Sequence, residues 1–550
     1  KVSGLNIQTT NNGVFADTRI VLRGIRSLTG NNQPMLILDG VPLSLNYISS
    51  VNPNDIADVN ILKSSSATAI YGPEGVNGAI IITTKRGVKG KPQIQFSNTT
   101  QLETVAYIPK LQTQFGGGSS IDANGYGVYD PIENQGYGDA FDGSLRQIGR
   151  DAPDGSKYEV TYVARPDEKR KFWDKGITNQ TDVSFSTGDF YLSAQNVSIN
   201  GVVPKDRNNR INLRMRADKE YKNFRAAFNL NYTQGNFNVT TQPGRDESVY
   251  WNVVNTPMNI PLTAFEDWQN DYWSSPDGYY NDYYSNPYFI IDNYRTKGRS
   301  DDLFGNIELN YKPLSWLGFT YRLAGTLTNL NTKSTTGAFT YSQDAKNSGK
   351  SIAQSGDIVA AVSDLNTFSN RLTSEVFATI NHDFNDVKFS AVLGQSFREI
   401  STKATNVNSS NLGQSTLYNA VVRKGEPGVG VSDSKQRLQR FFGKVGLGYR
   451  GWIFGEFTGS YDMDSRLSPA YGDFSLSDIA YFYPGGSVSI LLHELIPSLS
   501  SNTLSYFKLR GALSKTGNVN LAPYSLENTY GIATFFPYGE IQGFQSSTTL

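Results

Sequence analysis

The side chains that most often carry chemistry are scarce in this chain. It has no cysteine and two histidines, His382 and His493. That excludes thiolate chemistry and a disulfide framework, and a zinc site would have to lean on carboxylates. His382 falls in an expected short turn, and His493 follows an expected strand over residues 488–492. His382 reads as a solvated structural residue, and nothing catalytic is read into His493. The run Asp462-Met463-Asp464-Ser465-Arg466 looks like a strand-to-loop junction. It lacks the spacing of an EF-hand, so calcium is the weaker reading there. Asp301-Asp302 reads as loop charge, since glycoside hydrolysis needs two carboxylates at a set separation that sequence does not encode. The expectation is a protein with no catalytic, cofactor or metal site, and not an enzyme.

Aromatic side chains are the more informative resource. Trp268, Trp273, Tyr279, Tyr280, Tyr283 and Tyr284 lie close together in a stretch rich in Tyr, Asp, Asn and Pro. Large amphipathic rings give contact area at low entropic cost, so these six are candidate ligand contacts, stacking on sugar rings or packing on peptide side chains. The competing reading is that they only stabilise their own loop or form a girdle at a membrane interface.

The elements that position such residues begin with the stretch 52–85. Residues 58–63 alternate apolar Val59 and Ile61 with polar neighbours, as a short strand does. Ser64 to Ser66 can cap a helical turn over residues 67–71, with Gly72 as a left-handed stop. Gly75, Asn77 and Gly78 make a tight turn, and the apolar run 79–82 has the character of a strand buried on both faces. Upstream, residues 19–24 read as a strand, residues 31–34 as a turn and residues 35–38 as a strand. Asp39-Gly40 is a turn dipeptide, with Pro42 ending the ladder.

This stretch resembles the plug domain of TonB-dependent outer-membrane transporters, in their SusC/RagA-like branch from Bacteroidota-type bacteria. The resemblance rests on Arg23-Gly24-Ile25-Arg26-Ser27, Leu38-Asp39-Gly40-Val41-Pro42, Leu62-Lys63, residues 66–72 (Ser-Ala-Thr-Ala-Ile-Tyr-Gly), Gly75-Val76-Asn77-Gly78 and residues 80–85 (Ile-Ile-Ile-Thr-Thr-Lys), in that order. An ordered chain of motifs is far more specific than a lone glycine signature. It makes Arg23, Gly24, Asp39, Gly40, Lys63, Ala67, Tyr71, Gly72, Gly75, Asn77 and Gly78 the structural or gating residues of the plug. Pro73-Glu74 departs from the family, which often has a small residue and an arginine there.

Beyond residue 90 the chain turns to strands and polar loops. Ile211, Leu213, Met215 and Ala217 alternate with Asn212, Arg214, Arg216 and Asp218. Ala226, Phe228, Leu230 and Tyr232 alternate with Arg225, Ala227, Asn229 and Asn231. The pattern recurs over residues 303–323, 372–393 and 441–461. Period two places one set on lipid and the other in a wet interior, although a soluble sheet over a core shows the same alternation. Roughly thirteen or fourteen strands are expected. Short links alternate with long segments at 101–177, 235–300, 328–368 and 399–437, the outer-membrane arrangement of periplasmic turns and external loops. With 32 Tyr, 30 Phe and 52 Gly, composition suits a barrel with aromatic girdles and tight turns. Lysine plus arginine balances aspartate plus glutamate at 50 each, so bulk charge does not point to nucleic acid.

The expected fold is a large antiparallel membrane β-barrel occluded by an N-terminal α/β plug. The plug would occupy residues 1–90 and the N-terminal part of the barrel residues 91–550. The resemblance implies about twenty-two strands, so that C-terminal strands and an N-terminal TonB box lie outside this sequence. It further implies active import of a large nutrient, glycan or peptide, across the outer membrane. The expected partners are a SusD-like surface lipoprotein as lid, TonB, outer-membrane lipid and the substrate. The six aromatic residues become candidate ligand or lid contacts. Arg214, Arg216, Arg225 and Arg322 become candidate lumen residues that hold the plug, since charge is costly on the lipid side. Two rival readings stay open: a SusC-like barrel serving as a structural subunit of an outer-membrane assembly or secretion complex, and a soluble β-sheet adhesin.

Overall fold

The computed structural model describes the chain apart from residues 1–3, 23, 26, 29–30, 63–66, 68–70, 119–122, 124–129, 133–135, 242–247, 348–355, 469–474, 497, 499–504, 516, 518, 520, 527–529, 534–542 and 547–550. Its N-terminal part holds two small sheets. β1 (Leu5–Asn12) and β2 (Ala16–Leu22) form an antiparallel hairpin. β3 (Met35–Leu38), β4 (Val41–Leu43), β5 (Ile56–Leu62) and β6 (Ala79–Thr84) form the second sheet, in the order β4-β3-β6-β5, with β3 and β6 parallel. The two central strands are apolar runs, as burial on both faces requires. Leu36, Leu38, Ile80 and Ile82 form one core, and Met35, Ile37, Ala67 and Ala79 form another.

Two local expectations fail. Pro42 does not end the ladder but sits within β4, at the sheet edge, where a missing N–H is tolerated. Gly72 opens a 3-10 helix, Gly72–Asn77, and the left-handed residue that ends it is Gly78, at φ 90°.

β7 (Gln93–Glu103) starts a much larger sheet. After a small separate hairpin, β8 (Leu145–Gln147) and β9 (Glu159–Thr161), the sheet continues through β10 (Gly176–Thr187), β11 (Phe190–Asn200), β12 (Arg207–Tyr221), β13 (Phe224–Thr240) and β14 (Tyr294–Leu314). It goes on through β15 (Leu317–Thr336), β16 (Ala361–Phe384), β17 (Val387–Ser410), β18 (Gly428–Tyr449), β19 (Ile453–Asp464), β20 (Ala480–Leu491) and β21 (Lys508–Ser514). These are the strands of a 13-stranded antiparallel meander, each paired with its neighbour in this series. β22 (Tyr530–Ala533) and β23 (Gly543–Ser546) pair as a further hairpin.

Burial along these strands is inside-out relative to a soluble sheet. On β12, Ile211, Leu213 and Met215 are 44%, 48% and 37% exposed, whereas Asn212, Arg214 and Arg216 are 1%, 5% and 5% exposed. The polar face encloses the N-terminal domain and the apolar face looks outward, the order a bilayer imposes on a barrel. No described helix is long and apolar enough to cross a membrane. The fold is a plug-occluded β-barrel wall.

Tight turns join the strands at one end. They pass through Lys222, Asn385 and Arg450, with φ of 51°, 49° and 48°, the positive values that short hairpin turns need. Arg450 sits in the turn itself. His382 lies inside β16 opposite Phe389, not in a turn, and stacks on Trp316 with ring centroids 5.7 Å apart.

At the other end the strands run much further than the alternation implied. β16 and β17 have 24 residues each, against the about 9–11 that cross a bilayer. Beyond the apolar band both faces meet polar surroundings, so the alternation fades while the hydrogen-bonded ladder continues. The connections there shrink to residues 241–293, 337–360 and 411–427.

Candidate functional site: the seam between plug and wall

The wall meets the plug through polar side chains, and Asp39 is the hub. The β3–β4 turn holds it at φ 48°. Its carboxylate accepts from the Thr84 amide at 3.0 Å and the Thr84 hydroxyl at 2.6 Å, which pins it to the plug's own sheet. From the wall, Arg216 donates to it at 2.9 Å and Asn229 at 2.8 Å. Arg216 also pairs with Asp218 at 2.7 Å, so its charge is shared between plug and wall. Arg214 donates to the Thr84 hydroxyl and to the Lys85 carbonyl.

Arg322 donates to the Gly40 carbonyl at 2.9 Å while held by Glu308 and Glu375. The φ of +83° at position 40 favours glycine, and a Cβ there would come within 2.7 Å of that guanidinium and push it aside. Arg225 is different. Its ion partners Asp218, Glu220 and Glu308 all lie on the wall, and it is removed from the set of plug contacts. The register explains why. Arg225 faces the lumen one residue after the hairpin turn, level with Glu220, below the plug's sheet.

Sequence reasoning missed half of the seam. Asn52 and Asp55, from the loop before β5, dock on β10 and β11. Asn52 donates to Asp182 at 2.9 Å and accepts from Gln195 at 2.7 Å. Asp55 accepts from Tyr191 at 2.8 Å and Ser193 at 2.7 Å. Phe304 of β14, fully buried, enters the plug's apolar core beside Leu36 and Ile80. Its signal was legible, as a large ring among the polar, lumen-facing residues of its strand.

Glu74, the departure from the family pattern, makes a two-pronged ion pair with Arg398 of β17, one oxygen at 2.6 Å. Burial opposes its charge, but Arg398, with Arg440 and Arg371 behind it, holds the carboxyl down at about 2. Arg440 is itself paired with Asp462 at 2.9 Å. That pair, and the Asp464–Arg466 pair at 2.6 Å, occupy the carboxylates once weighed for calcium. Among the described residues no group of three or more His, Asp or Glu is placed to hold a metal.

The remaining plug motif residues serve the plug's interior. Ala67 is fully buried and Tyr71 packs against the same cluster. Asn77 donates to the carbonyls of Asn31 and Gln33 at 2.7 and 3.3 Å, closing the turn that Gly75 and Gly78 shape. Gly24 has φ +99° with open space around it. Arg23 and Lys63 lie outside the described residues.

On the long-loop side the aromatic stretch builds its own core. Tyr279 and Tyr280 are buried with Phe265, Ile260, Ile148 and Val160, and Trp273 packs on them. The Trp273 indole donates to the Arg150 carbonyl at 3.1 Å. The Trp268 indole donates to Asp292, and its ring meets Phe289 edge-on at 4.9 Å. Tyr279 and Tyr280 are enclosed by the loop itself, whereas Trp268 and Trp273 are half-buried and keep part of their surface open. A loop this long buries enough rings to fold as a unit, and short helices capped by Ser248 and Asn286 support it. Tyr283 is exposed and Tyr284 half-buried, so they remain open to a ligand.

Beside this unit a cavity of about 340 Å³ opens over the tip of the plug hairpin. Val14 and Phe15 of the plug, Ile108 of the first long connection, and Trp173, Val253 and Val254 line it. Lys169 lies at its wall, donating to the Val254 carbonyl, and burial pushes its pKa down to about 8.

Fold and seam together define a plug-occluded barrel of the TonB-dependent receptor class, and comparison with known proteins agrees. The TonB-dependent Receptor Plug Domain family matches residues 1–79. TonB-dependent receptor P3 of Formosa agariphila is 23% identical over 95% of this chain and 48% of its own length. The receptor SusC of Bacteroides thetaiotaomicron is 24% identical over 57% of this chain and 31% of its own. The RagAB peptide importer in its closed-closed state superposes with a TM-score of 0.73 at 16% identity, over 100% of this chain and 60% of that one, and so shares the fold. Residues 1–79 thus match the TonB-dependent receptor plug family, and the chain is similar to the SusC/RagA-like TonB-dependent receptors. It spans about half the length of the curated relatives P3 and P26.

Proposed function

We propose that the protein to which this chain belongs imports a large nutrient across the outer membrane, driven through TonB, with residues 1–90 as plug and residues 91–550 as part of the barrel. The observation that carries this reading is the character of the seam. Apart from Phe304 and Ala324 in the plug's core and Phe237 against Phe15 at the hairpin tip, the described wall contacts to the plug are hydrogen bonds and ion pairs that water can replace as they break. A dry interface of the same extent would have to lose its apolar burial all at once. A wet one can be parted stepwise by a pull on the N-terminal side.

The substrate we infer is a peptide. The cavity over the plug tip is walled by Val, Ile, Phe and Trp side chains, which suit an apolar side chain better than a hydroxyl-covered sugar. The RagAB neighbours are described as peptide importers, which supports the same choice. A SusD-like surface lipoprotein would close the long-loop end, with Tyr283 and Tyr284 within its reach.

The test is uptake by cells of fluorescent oligopeptides and of oligosaccharides of similar size. Peptide uptake should stop when TonB is deleted or the proton gradient is collapsed. Uptake that persists without TonB would remove active import. Preference for the oligosaccharide would transfer the reading to glycans. Gentle detergent extraction with mass spectrometry of co-purifying chains tests the lid. One SusD-like lipoprotein is expected, and several unrelated stoichiometric subunits would favour the scaffold reading.

A further inference from the structure

We propose that the outer face of the wall carries a binding groove for a phosphate-bearing lipid headgroup of the outer leaflet. The groove is separate from the plug, the seam and the apolar cavity. It rests on the outer-membrane placement given above but not on import.

Register fixes which face it occupies. On β12, Asn208, Arg210, Asn212, Arg214 and Arg216 touch the plug, so Arg207 and Asn209 point outward with Ile211. Their cross-strand neighbours continue the same face. Arg207 pairs with Asn238, and Asn238 with Lys297. Lys297 then pairs with Lys333, and Lys333 with Asp364.

Height is fixed by the apolar band. From the tight turn upward, the outward face of β14 reads Tyr311, Leu309, Ile307, Gly305 and Leu303, then Asp301, Arg299 and Lys297. β15 ends its apolar run at Leu327 and continues outward with Asn329, Asn331 and Lys333. The change from apolar to cationic falls where hydrocarbon gives way to headgroups, on the long-loop side.

At this level the wall forms a groove of about 820 Å³. Its lining brings Arg207, Lys297, Arg299 and Lys333 against a single carboxylate, Asp364, with asparagine amides between them. Two of the cations are neutralised, Arg299 by Asp301 at 2.8 Å and Lys333 by Asp364 at 2.6 Å. Arg207 and Lys297 are exposed and have no carboxylate partner among the described residues. A protein partner would call for an apolar, aromatic centre with lysine depleted. Two unpaired cations flanked by amide donors instead fit a phosphate on a hydroxyl-rich headgroup.

The intact receptor, purified in mild detergent with its co-purifying chains, is tested by native mass spectrometry. The probes are bis-phosphorylated lipid A and its dephosphorylated form. The wild type should retain the phosphorylated probe and release the other. The double variant R207E/K297E should show a roughly tenfold or larger drop in occupancy, as losing two cations at an anionic lipid surface would give. K219E, a charge reversal at the opposite rim of β12, should bind like the wild type, which guards against a general charge effect. Equal retention of both probes by the wild type, or unchanged retention by R207E/K297E, would overturn the proposal. So would a change in subunit number with lipid retention intact, which would make the groove a protein interface. Fractionation of the same cells reports separately whether the barrel is in the outer membrane.

Discussion

The two flanks of the plug are held in different ways. On the flank facing β10 to β15, contacts are many and mixed. Asn52, Asp55, Asp39, Thr84 and Gly40 each meet side chains from the wall, and Phe304 adds an apolar anchor. On the flank facing β16 to β19, among the described residues, the side chain of Glu74 meets a cluster of arginines. Distributed hydrogen bonds tolerate the loss of any one member. A single carboxylate facing Arg398 and Arg371 does not, because its loss leaves both cations in a confined lumen while Arg440 keeps Asp462. The Nε of Arg371 already lacks a hydrogen-bond partner among the described residues. The comparison assigns the ionic flank as the one that gives way abruptly and the mixed flank as the one that yields in steps.

Glu74→Arg is the most severe way to test that difference. Removing one member of a buried pair costs about 3–5 kcal/mol, and here a like charge is added. The plug should leave its seat on that flank. Ion conductance in planar bilayers and leakage of a large antibiotic into cells should both rise strongly. A variant that stays as tight as the wild type would mean that the ionic flank carries no load.

Phe304→Ala attacks the other flank at a fully buried apolar contact. Emptying a fully buried phenylalanine site costs about 3–5 kcal/mol. The neighbouring polar contacts persist, so the expected phenotype is a lower denaturant midpoint for plug release with little resting leak. A leak equal to that of Glu74→Arg would erase the distinction between the flanks.

Acid should loosen the ionic flank through Glu74. The Glu74 carboxyl is held at about 2 against an ordinary 4.5, so its contribution is complete above 4.5 and is lost as pH falls from 4.5 towards 2. The span corresponds to at most about 3 kcal/mol, and less once solvent at its partly exposed carboxylate is counted. Conductance of the wild type should climb over that window. In Glu74→Gln it should start higher and stay flat, and a parallel climb in both would place the titrating group elsewhere.

How much of this was legible in the sequence follows from the period of each signal. The strands β12 to β15 could be read because their outward residues face lipid and their inward residues face a wet plug, a contrast that survives in every second letter. The plug motifs could be read because residues such as Gly40 and Gly78 answer to backbone geometry. The upper halves of β16 and β17 could not, since polar residues line both of their faces. The partnership of Glu74 with Arg398 was also hidden, since 324 residues separate them and no local pattern links a plug turn to a particular rung of the wall. The loop aromatics misled for a related reason. Composition reports that rings are present but not whether a long loop has closed over them, as it has over Tyr279 and Tyr280.

Arg225 supplies the mildest prediction and the control for the rest. It shares a face with Arg216 and Arg322 and was grouped with them by alternation, yet its contacts are internal to the wall. Losing it leaves Asp218 with Arg216 and Glu308 with Arg322, so neither carboxylate is stranded. Arg225→Gln should therefore cost about 1 kcal/mol or less, the range of solvent-accessible ion pairs. Conductance, antibiotic leakage and the pH profile should match the wild type. A leak from this variant would mean that strain in the wall reaches the plug without a direct contact. The two flanks would then act as one coupled ring of charge, since Glu308 and Arg322 already link Arg225 to Gly40.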